Sequence, residues 1–330
     1  MSELCLLTVH AHPDDESSKG AGTVARYHAA GVRTVLVSCT GGEEGDILNP
    51  AMDKPGVKER MTEIRAEELA RATEIIGYDR VHKLGYRDSG MPGTPSNEDP
   101  RSFAQAPLDE AVGRLVAIIR SERPQVIITY ANEQRNYPHP DHLRVNEISE
   151  IAFDAAGDPD RYPDAGEPWQ PLKMYYSAWS VRRMHAVHQA FLDRGLESPF
   201  TEERLARMLE RLEHEEPATT VIDIHGFASV GRRALLAHAT QVDPTSRAWF
   251  GFPPEMDEEL YPYEEYLIAR DLTGSSPRLR RGESAGSPAE SGAGLVAGSG
   301  AGEGADGEDG SGAEPFEDDL FAGVVAPARR

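Results

Sequence analysis

Cysteine is scarce in this chain: its 330 residues include two, Cys5 and Cys39. Both sit in apolar segments, so a disulfide scaffold is excluded and a reduced, cytoplasmic setting is expected. Long apolar runs are also missing. None approaches the roughly 18 residues that a spanning helix needs. The apolar stretch Cys5–Val9 is too short for a secretory leader and runs straight into His and Asp. Basic charge is the third deficit, with 34 Lys and Arg against 56 Asp and Glu and a formal net charge of −22. Such a balance repels phosphate backbones and anionic lipid, which argues against nucleic-acid and membrane partners. ATP is not an expected ligand either, because Gly41-Gly42-x-x-Gly45 lacks the Lys and Ser/Thr that would complete a P-loop.

What is present divides at about residue 272. Hydrophobic residues make up 39% of the chain, enough for a sizeable core. From Thr273 to Arg330, however, lie 13 of the 31 glycines, with Ser, Ala, Glu and Asp supplying most of the rest. Such a segment cannot bury enough apolar surface to offset its ordering entropy, so residues 273–330 are expected to form a disordered acidic tail. Within it, residues 315–325 stand out, because Phe316, Leu320 and Phe321 offer apolar side chains that can dock. The tail carries five basic and ten acidic residues, which leaves −17 on residues 1–272. One domain, 1–272, is expected, with no second domain and no internal repeat.

Strand and helix signals alternate along that domain. Leu4–Val9 and Val32–Cys39 read as short apolar strands, Val81–Leu84 as a brief strand candidate and Gln125–Tyr130 as a buried strand. Gly20–Ala30, Val57–Ile76 and Leu108–Ser121 have helical spacing, with Gly77 placed to end the second of these. Continuous apolar strands separated by helices imply an α/β fold, Rossmann-like, with a mostly parallel sheet covered by helices on both faces. Farther on, Arg182–Leu192 and Glu202–Glu213 read as helices and Thr219–Ile224 as a strand.

In such a sheet, ligands bind at the carboxyl ends of the strands. The first strand runs into His10-Ala11-His12-Pro13-Asp14-Asp15-Glu16. The loop after the fourth contains Tyr137-Pro138-His139-Pro140-Asp141-His142. Two segments rich in His and Asp therefore leave the same sheet edge. One His-Pro-Asp turn alone is ordinary loop punctuation; two on one edge point to a divalent-ion site with carboxylates and imidazoles to spare for acid–base work. Two His and one Asp suit zinc, one ion per chain; the set also suits Fe(II), with the Irving–Williams order favouring zinc where both are available. His185 and His188 have helical spacing but no third ligand, so they read as structural. His10 is expected to pack beside the site without ligating.

His12-Pro13-Asp14-Asp15-Glu16 followed by His139-Pro140-Asp141-His142 resembles the paired signature of the LmbE / PIG-L family of zinc-dependent N-deacetylases. Thr40–Gly45, Tyr86–Met91 and Gln241–Pro244 agree, and the resemblance covers residues 4–272 and extends to Asp318–Gly323. It implies that His12, Asp15 and His142 ligate zinc and that Asp14 is the general base. It also implies that His139 protonates the leaving amine or holds the oxyanion, with Tyr137 completing the oxyanion's stabilisation. Asp141 would orient a ligand from behind.

For the substrate, the resemblance places Arg65 and Asp88 where the family grips sugar and inositol hydroxyls. Without it, Arg65 reads as a solvated helix charge beside Glu67 and Glu68, and Asp88 as a turn residue, with Arg87 a near-equal candidate. Glu43 and Glu44 follow the second strand at the same edge. Within the family, the chain is similar to the mycothiol branch of actinobacteria, which holds a deacetylase and an amidase. Lys19 and Asn49–Asp53 resemble the amidase arm. The implied activity is hydrolysis of the amide in a small-molecule thiol conjugate, giving a mercapturic acid and glucosaminyl-inositol, in detoxification. The alternatives are deacetylation of the N-acetylated sugar-inositol, or a metal-free sugar-binding module. No feature of the sequence sets an oligomeric state.

Overall fold

Four segments form the first parallel strands of a single sheet: β1 (Cys5–His10), β2 (Arg33–Thr40), β3 (Arg80–Tyr86) and β4 (Val126–Thr129). The computed structural model describes residues 4–132, 138–178, 181–214, 218–275 and 317–325. Between these strands run α1 (Asp15–Ser18), α2 (Ala21–Ala29), α3 (Met61–Ile76) and α4 (Leu108–Glu122), and α5 (Pro140–Gly157) follows β4. β1 pairs in parallel with β2 on one side (Leu7 opposite Val35) and with β4 on the other (Leu7 opposite Ile127). The chain therefore winds outward from β1 in both directions. The crevice between β1 and β4, where the winding reverses, is where an open α/β sheet receives its ligand.

The remaining strands are β5 (Lys173–Ala178), β6 (Thr220–Asp223) and β7 (Tyr263–Asp271). Among the described residues the sheet order is β3-β2-β1-β4-β5-β7-β6, with β7 antiparallel to both of its neighbours. The sheet is thus mostly parallel, as expected, with an antiparallel edge. The sequence reading leaves β5 and β7 unassigned because both mix charge into the strand: Lys173 in one; Glu264, Glu265 and Arg270 in the other. Two boundaries also differ. α3 begins at Met61, after a 3-10 turn at Lys58–Arg60, and not at Val57; Gly77 does cap it, at φ 95°. Pro140–His142, expected in a loop, forms the first turn of α5, where proline's fixed φ suits the first helical position.

Side chains on the two sheet faces build two cores. Leu7, Val9, Val35 and Ile127 pack under α4 and α5 with Leu115, Ile119, Val145 and Phe153. Leu6, Val126, Ile128 and Tyr175 face the other way, against Val24 of α2, Ala72 and Ile76 of α3, and Val230 and Ala234 of α8 (Ala228–Ala237). Truncating a fully buried aromatic such as Phe153 to Ala removes roughly 3–5 kcal/mol from a core of this kind. A small satellite core of Ala190, Phe191 and Phe252 lies beside α6 (Val181–Asp193), which packs on α7 (Glu202–His214). Among the described residues no helix is long and apolar enough to cross a membrane.

Candidate metal centre

The loop after β1 turns sharply, and Asp14 bears the distortion. Its φ of 112° and ψ of −26° lie where glycine is the usual occupant. The His12 N–H donates to Asp15 Oδ2 at 3.0 Å, and the Asp14 N–H to Glu16 Oε2 at 2.9 Å. Asp15 consequently faces into the crevice and Asp14 stands beside it.

The second segment enters through α5. His139 caps that helix, its Nδ1 accepting from the Asp141 N–H at 3.2 Å, and His142 follows one turn on. His12, Asp15 and His142 each offer a ligand atom, all within 4.8 Å of one another, and all three side chains are buried. The Asp15 Oδ2 corner lies 3.4 Å from His12 Nδ1 and 3.3 Å from His142 Nε2. A second buried group of the same dimension, His12, Asp88, His139 and Asp141, shares His12. Carboxylate oxygen beside imidazole nitrogen is the donor set of a borderline divalent cation, so the residues present fit such an ion.

The electrostatics agree. Burial works against a charge on His12, yet hydrogen bonds to Asp141, Asp15 and Asp88 hold its pKa well above 6.5. Burial likewise opposes ionisation of Asp15, and Lys19 and His142 overcome it, keeping its pKa well below 3.8. The pocket's carboxylates thus create a field that favours a cation at its centre. His139 behaves differently: burial, reinforced by the charge on His12, pushes it down to about 4, so it is neutral at physiological pH. With Nδ1 accepting a backbone N–H, the proton of neutral His139 sits on Nε2, which lies 3.8 Å from Asp88 Oδ1. Burial also lowers His142 and raises Asp14.

Asp141 lies behind His12, its Oδ2 at 3.1 Å from His12 Nε2, and accepts from both the N–H and the hydroxyl of Ser89. Lys19 Nζ reaches Asp15 Oδ1 at 2.5 Å, so that carboxylate holds the lysine by one oxygen and faces the histidines with the other. Asp88 lies 3.6 Å from His12 Nε2 and accepts from the Gly90 N–H at 2.8 Å. Arg65 is 2% exposed, which overturns the solvated-charge reading. It donates to the Gly42 carbonyl at 2.6 Å, to the Pro13 carbonyl and to Asp14 Oδ2 at 3.0 Å. Glu43 accepts from the Asp88 N–H, while Glu44 pairs with Arg87. His10 meets the Tyr130 hydroxyl at 3.0 Å. Tyr137, with Gln134 and Arg135, lies outside the described residues.

Three contributors escape the sequence reading. Tyr130, at the carboxyl end of β4, holds His10, a role that periodicity does not reveal; its hydroxyl also accepts from the Ala11 N–H at 3.1 Å. Ser89 was within reach, since it follows Asp88 in the Tyr86–Met91 segment. His238 had no local signal at all: it comes from the far end of α8, and its ring meets Glu16 Oε1 at 2.7 Å.

With this geometry in place, comparisons with known proteins are informative. Residues 7–153 match the family described as PIG-L, GlcNAc-PI de-N-acetylase. The chain is 46% identical over 280 residues to the mycothiol S-conjugate amidase of Streptomyces coelicolor, covering 83% of this chain and 94% of that one. It is 36% identical over 277 residues to the 1D-myo-inositol 2-acetamido-2-deoxy-alpha-D-glucopyranoside deacetylase of Geodermatophilus obscurus, covering 82% and 94%. Among solved structures, N,N'-diacetylchitobiose deacetylase from Pyrococcus horikoshii superposes with a TM-score of 0.55 at 15% identity, over 80% of this chain and 83% of that one. The 4-carboxy-2-hydroxymuconate hydratase of Pseudomonas putida does so at 0.52 and 15%, over 80% and 95%. At such identities the two structures establish the shared fold alone.

Proposed function

The chain belongs to the PIG-L/LmbE family of hydrolases, and on that premise we propose that it is a zinc-dependent amidase that cleaves mycothiol S-conjugates into a mercapturic acid and glucosaminyl-inositol. The observation that carries this reading is the seat of Lys19. The Lys19 side chain is 23% exposed, and its ammonium rests on Asp15 at the rim of the His/Asp cluster, 5.6 Å from the Tyr130 ring centroid. A cation there is poised to meet the carbonyl side of a larger acyl group, which acetate does not need. The higher identity to the Streptomyces coelicolor amidase than to the deacetylase supports the same choice.

In this reading His12, Asp15 and His142 hold one zinc ion, and Asp141 fixes the ring of His12. When bound, the ion polarises the amide carbonyl and acidifies a water. Asp14 would serve as the base toward the attacking water; burial raises its pKa, which brings a carboxylate closer to the working range of a general base. Its partner Arg65 steadies it, and the Pro13 and Gly42 carbonyls steady Arg65 in turn. His139 presents Nε2–H toward the reacting carbonyl and afterwards toward the departing amine. Tyr137 assists it, and Asp88 receives sugar or inositol hydroxyls. The enzyme works in the cytoplasm on a small-molecule thiol conjugate.

Purified protein offered an S-alkylated mycothiol and the N-acetylated sugar-inositol in parallel tests the assignment. Faster cleavage of the conjugate is expected, and Lys19→Ala should lose conjugate cleavage while keeping deacetylation. If the acetylated sugar is hydrolysed much faster, the deacetylase reading replaces this one. Full activity after chelation, with well under one divalent ion per chain, would remove the metallo-hydrolase reading altogether.

A further inference from the structure

Far from the metal cluster, a buried cation waits at the other end of the sheet. Lys173 on β5 is 0% exposed, and among the described residues its ion-pair partner is Glu317, 144 positions later, at 2.7 Å. The carboxylate of Glu317 also accepts from the Tyr175 hydroxyl at 2.9 Å and from Thr220 Oγ1 at 3.3 Å. Its backbone adds a parallel bridge to the free edge of β6: the Glu317 N–H donates to the Thr219 carbonyl and its carbonyl accepts from the Val221 N–H. Two residues on, Asp319 Oδ1 accepts from the Tyr27 hydroxyl, which itself accepts from the Leu320 N–H, both at 2.7 Å. Leu320 and Phe321 then bury themselves in the core shared by α2, β5 and β7, with Phe321 edge-on to Tyr27 at 5.3 Å between centroids.

We propose that the groove formed by β5, β6 and Tyr27 of α2 is a peptide-recognition site, and that its ligand is the chain's own segment Glu317–Val325, bound in cis. Three features make it a built site and not a chance contact. A buried ammonium selects a carboxylate at one position, because without an acceptor it stays charged and desolvated. An unpaired strand edge reads backbone, which is how edges receive extended peptides. A tyrosine and an apolar floor select the Asp-x-Phe spacing that follows. The ligand is therefore an acidic–aromatic peptide of the pattern Glu-Asp-Asp-Leu-Phe.

The tether fits as well. Ser275 Oγ, at the end of the body, lies 3.4 Å from Glu317 Oε1 and donates to the Ala322 carbonyl at 3.1 Å. Ser275 and Glu317, which flank the 41 residues from 276 to 316, thus lie side by side. The length of that stretch has no bearing on how the segment fits; it sets only the effective concentration, which falls slowly with chain length. Docking adds to the tie between α2 and β6, which already meet where Arg26 donates to the Asp223 carbonyl at 2.7 Å.

The experiment uses the full chain with a specific protease site inserted between residues 290 and 300. After complete cleavage the C-terminal fragment should remain with the body in native mass spectrometry, one per body. A large excess of synthetic peptide covering residues 314–327 should displace it. Glu317→Gln or Phe321→Ala should release it on cutting. In the uncut chain either of these changes should lower Tm by about 4 °C or more. Joining Lys173→Met to Glu317→Leu should recover most of that drop, because a hydrophobic pair removes the unmet charge. Immediate loss of the fragment from the cut, otherwise unaltered chain overturns the proposal. So does an uncut chain that runs as a dimer and whose cut fragments exchange between bodies, because the ligand would then come from a second copy.

Discussion

The imidazole of His238 meets the carboxylate of Glu16 at 2.7 Å, with side chains 0% and 1% exposed, and so joins the end of α8 to the loop that carries Asp14 and Asp15. The other Glu16 oxygen accepts the N–H of Asp14, the residue held at φ 112°. A buried pair thereby braces a strained turn from below. Its neighbours hold their own braces. The Thr240 N–H and hydroxyl both donate to Glu68 of α3, and Asn49 donates to the Ala239 carbonyl. Residues 238–240 therefore act as a knot beneath the site.

Removing one member of that pair leaves the other charged and buried. His238→Ala should cost about 3–5 kcal/mol in denaturant unfolding. Its pH dependence follows from two opposed shifts. Burial disfavours the charge on His238, but Glu16 outweighs it and raises the pKa above 6.5; burial disfavours ionised Glu16, but His238 outweighs it and lowers the pKa below 4.5. The raised group contributes fully below 6.5 and loses its contribution as pH rises through its folded value. The lowered group contributes fully above 4.5 and loses its contribution as pH falls through its folded value. The pair's stabilisation is thus complete between 4.5 and 6.5 and declines on both sides. Unfolding free energies of the unaltered chain and His238→Ala across this range should be farthest apart inside that window. A constant difference up to pH 9 would show that the pair is not ionised.

Asp14 makes an opposite prediction for stability. At φ 112° a Cβ is strained, while glycine is at ease. Asp14→Gly should therefore be more stable than Asp14→Ala by about 1–2 kcal/mol, the reverse of the usual order. Both should lose the proposed base. Equal stabilities in thermal or urea unfolding would mean that the turn relaxes once the side chain is gone.

Gly42 is constrained by its neighbour as well as by its own backbone. It has φ 68°, and a Cβ added there would lie 2.3 Å from the Arg65 guanidinium, which is already committed to Pro13, Gly42 and Asp14. Gly42→Ala should push Arg65 off Asp14 and lower kcat by tenfold or more, about 1.4 kcal/mol in the barrier, with a smaller effect on KM. A variant with native kcat would show that Arg65 does not steady the base.

How far the sequence reveals this molecule depends on which interactions are local. β1, β2 and β4 are legible because each is a largely apolar run flanked by helices, and β3, which Arg80, His82 and Lys83 interrupt, is legible only as the short Val81–Leu84. β5 and β7 are not, because the charge in them is answered across the fold: Lys173 by Glu317, and Arg270 by Glu150 of α5. The same contrast holds in the site. His12, Asp15, His139 and His142 converge because two short motifs sit at the ends of adjacent parallel strands, which topology alone brings together. Arg65 is the counterexample. On α3 its glutamate neighbours suggest solvent, and only the loop of Gly42 folding over it makes it internal. Glu16 appears in the first motif, yet its partner His238 has no spacing or period that connects the two.

The roles proposed for Asp14 and for Asp15 with His142 are separable by one pair of measurements. Asp15 and His142 share the corner that faces His12, so Asp15→Asn or His142→Ala should bring bound zinc well below one ion per chain, and activity should vanish with it. Asp14 stands outside that corner: its carboxylate pairs with Arg65 at 3.0 Å and belongs to neither buried cluster. Asp14→Asn should therefore keep its zinc in elemental analysis while losing about 10²–10⁴ in kcat, the share a general base supplies. If Asp14→Asn loses the metal as well, the carboxylate is a ligand and the base lies elsewhere. If His142→Ala keeps both metal and activity, the ion sits in the neighbouring group of His12, Asp88, His139 and Asp141, and the two segments exchange roles around their common histidine.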